Sequence, residues 1–259
     1  MLLHLQTWPE VETYLQTSRA IIVPIGSTEQ HGPIGLIGTD AICAEIIARG
    51  VGETTDSLVA PTIGVGMAQH HMAFAGSITL RPSTLIAMLR DIVESLAVHG
   101  FAQFYFINGH GGNIATIAAG FSEIYTARSM ASPGTVAPIR CRLRNWWEAE
   151  GVARLVKELY GDAEGSHATP SEVAVTQFAF PEAVKRVQLD PPIAPRGDFT
   201  DAAHYRHNFP DGRIGANSAL ATPEAGKLLC ETAVAGLAKD FQNWASKGLL
   251  GRAEPRSGC

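Results

Sequence analysis

Short apolar runs alternate along the chain with longer stretches whose apolar positions recur every three to four residues. Ala20–Ile25 (AIIVPI) is a continuous apolar run that stops at Gly26-Ser27, as a buried strand does. Thr39–Arg49 follows, with Ile42, Cys43, Ile46 and Ile47 forming a helical stripe after a Thr-Asp start. Leu58–Val65 reads as another strand, with Pro61 placing its beginning at a bend or an edge. Ser83–Val98 carries Leu85, Met88, Leu89, Ile92, Val93, Leu96 and Ala97, the spacing of a helix with one buried face. Phe101–Ile107 predicts a buried strand, Asn108–Asn113 a glycine-rich turn, and Ile114–Arg128 a helix of small residues. Thr135–Cys141 predicts a further strand, and Ala174–Phe180 and Ala221–Ser246 predict helices. Alternation of this kind predicts the α/β class, with helices covering a mainly parallel sheet. Asp190–Ala219, rich in Pro, Asp, Gly and His, has no sustained period, and a loop of that length usually serves function or assembly. No repeat or linker breaks the pattern, so residues 1–259 are expected to form one domain.

Charge and composition narrow the setting. A net charge of −5 with no dense Lys/Arg run argues against a nucleic-acid partner. No apolar run approaches the roughly 18 residues a spanning helix needs, and the first residues lack the basic start and long apolar stretch of a signal peptide. No membrane partner is expected. Cys43, Cys141, Cys230 and Cys259 are scattered without a CxxC pair and read as reduced thiols. The expected compartment is the cytoplasm.

The polar residues that matter sit where strands end, the place where parallel sheets bind ligands. Glu29 and His31, in Gly26–Pro33 (GSTEQHGP), are two apart, so extended backbone sends both side chains the same way. Asp40 opens the next helix, where it either stabilises the helix N-terminus or turns into the crevice. His110 lies in Asn108–Asn113 (NGHGGN), which is not a phosphate loop because the Lys-Ser/Thr ending is missing. Carboxylates and imidazoles converging there would suit zinc, manganese or iron. In Gly165–Glu172, Thr169, Pro170 and Glu172 spell a helix capping box, which leaves His167 without a structural task. A histidine beside a metal can shuttle protons. Gly66–Ser77 pairs His70 with His71; on a strand these face opposite ways, and His71 is taken as the one facing the crevice. Trp147 and Gly111 complete the candidate substrate contacts, with core packing the alternative for the Trp146-Trp147 pair.

Taken together, these segments resemble the creatininase (creatinine amidohydrolase) family over most of the chain. The likeness runs from Thr7-Trp8-Pro9-Glu10-Val11 through GSTEQHGP, the later GTD, HMAFAGS, NGHGGN and the His167-x(4)-Glu172 pair to DGRIGANSALATPEAG. It implies a three-layer α/β/α sandwich and a centre of one or two divalent ions. By position, Glu29, Asp40 and His110 would hold one ion; His31 and Asp40 would help hold a second, with Glu172 a further ligand. It also implies a small-molecule amide substrate and ring-like homo-oligomers, often hexamers. Two departures stand out. Many members read HGPHLP where this chain has Ile34, and creatinine-cleaving members carry a glutamate two residues after the NGH histidine, where this chain has Gly112.

Three functions follow as expectations. The first is hydrolysis of a cyclic, creatinine-like amide by metal-activated water, with His167 carrying the proton. The second is a formamide or peptide amidase with a mononuclear iron or zinc site. The third is a metal-stabilised oligomeric scaffold without turnover.

Overall fold

The computed structural model describes residues 1–132 and 134–248. Three parallel strands, β1 (Ala20–Ile25), β2 (Gln103–Asn108) and β3 (Arg140–Asn145), lie in the order β1-β2-β3. Among the described residues, eight α-helices surround them: α1 (Trp8–Leu15), α2 (Thr39–Thr54), α3 (Pro82–Val98), α4 (Ile114–Met130), α5 (Val152–Tyr160), α6 (Pro170–Ala179), α7 (Ala202–Asn208) and α8 (Pro223–Ala245).

Because strand side chains alternate, β1 and β2 feed two separate cores. Ala20, Ile22, Tyr105 and Ile107 face one layer, where Cys43, Ile47 and Val51 of α2 meet Leu229, Ala233 and Leu237 of α8 and Ala174 of α6. Ile21, Val23, Ile25, Phe104 and Phe106 face the other, against Leu85, Leu89 and Val93 of α3 and Ile117 and Ile124 of α4. The result is the expected α/β/α sandwich with a parallel sheet. Both sheet faces are apolar, which is why β1 and β2 read as unbroken hydrophobic runs.

Two strand expectations change. Leu58–Val65 does not form a continuous strand; it touches β1 through isolated parallel bridges at Ile22–Val59 and Ile25–Ile63. Pro61, without an N–H to give, lies between them. The third strand is Arg140–Asn145 instead of Thr135–Cys141. Arg142 and Arg144 alternate toward Asp240 of α8, with N–O distances of 2.7 and 3.0 Å. Their charges hide a strand that apolar pattern alone does not find. Three helices were also not anticipated. α1 is started by a capping box between Thr7 and Glu10, α5 follows the tryptophan pair, and α7 gives part of the Asp190–Ala219 segment regular structure. Cys259 lies outside the described residues; Cys43, Cys141 and Cys230 are free thiols. Among the described residues, no helix is long and apolar enough to cross a membrane.

Candidate metal centre

The site forms at the carboxyl ends of β1 and β2. Glu29 and His31 come from the segment after β1, Asp40 from the first turn of α2, and His110 from the turn after β2. His167 comes from the segment that leads into α6 and Glu172 from the first turn of that helix. Gly26 and Gly109 make this possible. A Cβ on Gly109 would overlap the Asp40 carbonyl, and one on Gly26 would overlap the Ala41 amide. Only glycine lets the start of α2 dock on both strand ends, and that contact carries Asp40 inward.

His110 Nδ1 lies 3.2 Å from Glu29 Oε1 and 3.0 Å from Asp40 Oδ2. On the other side of Asp40, His31 Nε2 lies 3.0 Å from Oδ1 and 3.9 Å from Glu172 Oε2. His167 Nδ1 stands 3.9 Å from Glu29 Oε1. Three sets of donor atoms each fall within 4.8 Å: Glu29-Asp40-His110, His31-Asp40-Glu172 and Glu29-His31-His167. Asp40 belongs to the first two. It therefore turns into the crevice, although it also opens α2.

Backbone carbonyls set the state of the three histidine rings. His31 Nδ1 approaches the Glu29 carbonyl (3.1 Å), His110 Nε2 that of Met67 (2.9 Å), and His167 Nε2 that of Gln30 (2.8 Å). A carbonyl only accepts, so each of those nitrogens carries a proton, and the other ring nitrogen is the one that faces the crevice. Glu172 satisfies both sequence readings at once. Its Oε1 takes the Thr169 N–H at 2.6 Å in the capping box, while Oε2 looks toward His31. The cap thus fixes the carboxylate before any ligand arrives.

Burial makes this cluster electrostatically costly. Desolvation raises the Glu29 and Glu172 carboxyls to about 7, with the Asp40 charge adding to each. Burial opposes charge on His31, yet Asp40 and Glu172 outweigh it and lift the ring to about 10. His110 rises to about 9 against the same penalty, through Glu29 and Asp40. Burial pushes the Asp40 carboxyl up, but His31 and His110 hold it well below the usual range. Desolvation, with His31 and His71 nearby, keeps the His167 ring neutral. In the metal-free chain, protons on imidazoles balance the buried carboxylates. Glu29 Oε1 and Asp40 Oδ2 still make no aligned hydrogen bond. Buried carboxylate oxygens seldom go without partners, and a divalent cation fits both atoms and the mixed N/O donor set.

A cavity of about 460 Å³ opens onto the cluster, lined by Asp40, His110, Gly111, Trp147, Glu164, His167 and Glu172 among others. Gly111 and Trp147 stand where substrate contacts were expected. His71 does not. His70 and His71 lie in a tight turn, Gln69–His71, instead of a strand, so their rings lie on the same side, tilted by 50° with centroids 4.1 Å apart. His71 is 1% exposed and sits behind Glu29, away from the cavity wall. A larger groove of about 720 Å³, near Lys185 and Glu224, contains none of the clustered histidines. Glu164 went unnoticed in the sequence. Burial raises its carboxyl to about 7, and its Oε2 has no partner. Its place three residues before His167 was the available signal.

The sequence model of the creatininase family, described as creatinine amidohydrolase, matches residues 4–241. The chain belongs to the creatininase family. Members are metal-dependent amidohydrolases. A mycofactocin precursor peptide peptidase of Mycobacterium ulcerans is 31% identical over 188 residues, 69% of this chain and 61% of that protein. The chain therefore matches less than two thirds of that relative's length. Creatinine amidohydrolase of Pseudomonas putida is 24% identical over 245 residues, 90% of this chain and 92% of that one. A solved manganese form of creatininase shares the fold with a TM-score of 0.81 at 22% identity, over 94% of this chain and 98% of that one.

The family's glutamate position has a structural answer here. A Cβ on Gly112 would overlap His110 Nε2 and stand 2.7 Å from the Met67 carbonyl. Gly112→Glu is therefore expected to break the His110–Met67 bond and to cost about 1–3 kcal/mol of stability through overpacking. Thermal unfolding together with metal analysis checks this: a lower Tm and no additional ion are expected.

Proposed function

We propose that the protein hydrolyses the amide bond of an open-chain substrate, a peptide or formamide, with the aid of divalent metal. The observation that carries this is the pair of oxygens without an aligned hydrogen bond, Glu29 Oε1 and Asp40 Oδ2, buried beside three inward-facing imidazole nitrogens at the foot of a cavity. Glu29, Asp40 and His110 would hold one ion. His31, Asp40 and Glu172 would hold the second, with Glu172 supplying the carboxylate that Gly112 lacks. A bound zinc, manganese or iron ion lowers the pKa of a water from roughly 16 to about 7 and polarises the amide carbonyl.

The remaining work falls to the chain's own side chains. His167 keeps its Nε2 proton on the Gln30 carbonyl and offers Nδ1 to the crevice. That nitrogen takes a proton from the attacking water and delivers it to the departing amine nitrogen. No covalent intermediate is needed: Ser27 gives its hydroxyl to Glu29 at 2.7 Å, and Cys43 is buried, its thiol pushed well up. Trp147 and Gly111 form the wall against which the substrate lies.

Two features favour an open-chain amide over creatinine. Gly112 stands at the glutamate position, and about 460 Å³ lies in the range for ligands larger than a single small ring. Product analysis on creatinine, N-formyl compounds and short peptides, with and without chelator, tests the reading. Chelator-sensitive release of amine from the open-chain substrates is expected; turnover of creatinine alone would contradict the substrate class. Glu172→Gln tests the second ion. Elemental analysis should show the ion count per chain fall from two to one, with the protein still folded because glutamine can also close a capping box.

A further inference from the structure

His71 is buried, lies off the cavity, and takes no part in the chemistry above, yet its surroundings are specific. Its Nδ1 is 2.9 Å from Gln30 Nε2. The orientation of that carboxamide is fixed, because Gln30 Oε1 accepts the Gly32 N–H at 2.8 Å and so must be the oxygen. The amide nitrogen then donates to the Gly212 carbonyl at 3.0 Å and to His71 Nδ1. It also passes 3.0 Å from His167 Nε2, but that N–H is already directed at the Gln30 main-chain carbonyl. Gly212 O is itself anchored by the Tyr205 hydroxyl at 2.8 Å, and the Tyr205 ring meets His71 edge-on, centroids 4.6 Å apart.

An imidazole that accepts at Nδ1 carries its proton on Nε2. His71 Nε2 stands 3.1 Å from Glu29 Oε1, and neither atom makes an aligned hydrogen bond to any group among the described residues. The other oxygen of Glu29 is held by the Ser27 hydroxyl.

We propose that His71 is a positioning residue: Gln30 fixes its proton on Nε2, so that this N–H edge faces Glu29 Oε1 from 3.1 Å and orients the carboxylate for the cation by charge–dipole attraction. The segment bearing Tyr205 and Gly212, which reads as an irregular loop in the sequence, buttresses the metal centre from behind through Gln30. This rests on the reading of Glu29 as a metal ligand. Partners that orient a ligand from behind contribute about 10–100-fold to metal affinity.

The test is zinc affinity, by competition with a chromogenic chelator, of the full chain and three variants. His71→Phe keeps the ring shape and removes the donor; its zinc affinity should fall about 10–100-fold. His71→Gln returns an N–H near the Nε2 position and should stay within about threefold of the parent. Gln30→Leu should weaken zinc as His71→Phe does. Parental affinity in His71→Phe would overturn the proposal, and so would a His71→Gln protein as weak as His71→Phe. A 15N NMR spectrum of the metal-free protein reads the same link without any ion. His71 should carry its proton on Nε2, and in Gln30→Leu the two tautomers should mix. A parent protein with the His71 proton on Nδ1 would overturn the proposal. Failure of the parent to take up zinc sinks the metal-centre reading instead, and the NMR result still decides the Gln30–His71 link.

Discussion

Asp40→Ala protein purified without added metal is expected to hold less than about a tenth of the parental ion content and to lose at least about 10³ in kcat/KM. Asp40 is the one side chain that belongs to both the Glu29-Asp40-His110 and the His31-Asp40-Glu172 donor sets. Its Oδ2 faces His110 at 3.0 Å, and its Oδ1 faces His31 at the same distance. Removing it strips one carboxylate oxygen from each proposed ion. It also leaves two buried imidazoles without their counter-charge, and breaking a buried pair costs about 3–5 kcal/mol. Asp40→Asn, of the same size, separates the two effects: the chain should stay folded by circular dichroism and still fail to retain metal. Full metal occupancy in folded Asp40→Asn would mean that this carboxylate bridges nothing.

The second large effect should come from His167. Glutamine there can still donate to the Gln30 carbonyl but offers no basic lone pair. His167→Gln is expected to lower kcat by about 10²–10⁴, the range for loss of a general acid–base group, with KM little changed and metal content intact. The metal readout matters, because His167 Nδ1 also lies within reach of Glu29 and His31. If metal content fell together with kcat, His167 would be a ligand instead of a proton carrier. Equal kcat in variant and parent would remove it from the mechanism.

How far the sequence leads depends on what each residue has to satisfy. β1 and β2 are buried on both faces, so their apolar runs are visible without further information. β3 is not visible in that way: two of its side chains are arginines paired with Asp240, a partner nearly a hundred residues away. The candidate site is legible because its residues follow strand ends and keep fixed spacings, and Glu29, His31, Asp40, His110 and Glu172 do converge. His71 was misplaced for a local reason. Its backbone forms a tight turn, so the strand alternation that would have sent it toward the crevice does not apply. The hub role of Gln30 depends on Gly212 and Tyr205, brought in by a segment whose path no periodicity announces. Long-range polar contacts of this kind have no sequence period, whereas burial does.

The most direct test is anomalous diffraction from crystals of the protein purified without added metal, collected at the zinc, manganese and iron absorption edges. A peak about 2.0–2.2 Å from Glu29 Oε1, Asp40 Oδ2 and His110 Nδ1 is the expected result. Metal-free electron density at that position, in protein that still hydrolyses amides, would contradict a cation-dependent mechanism.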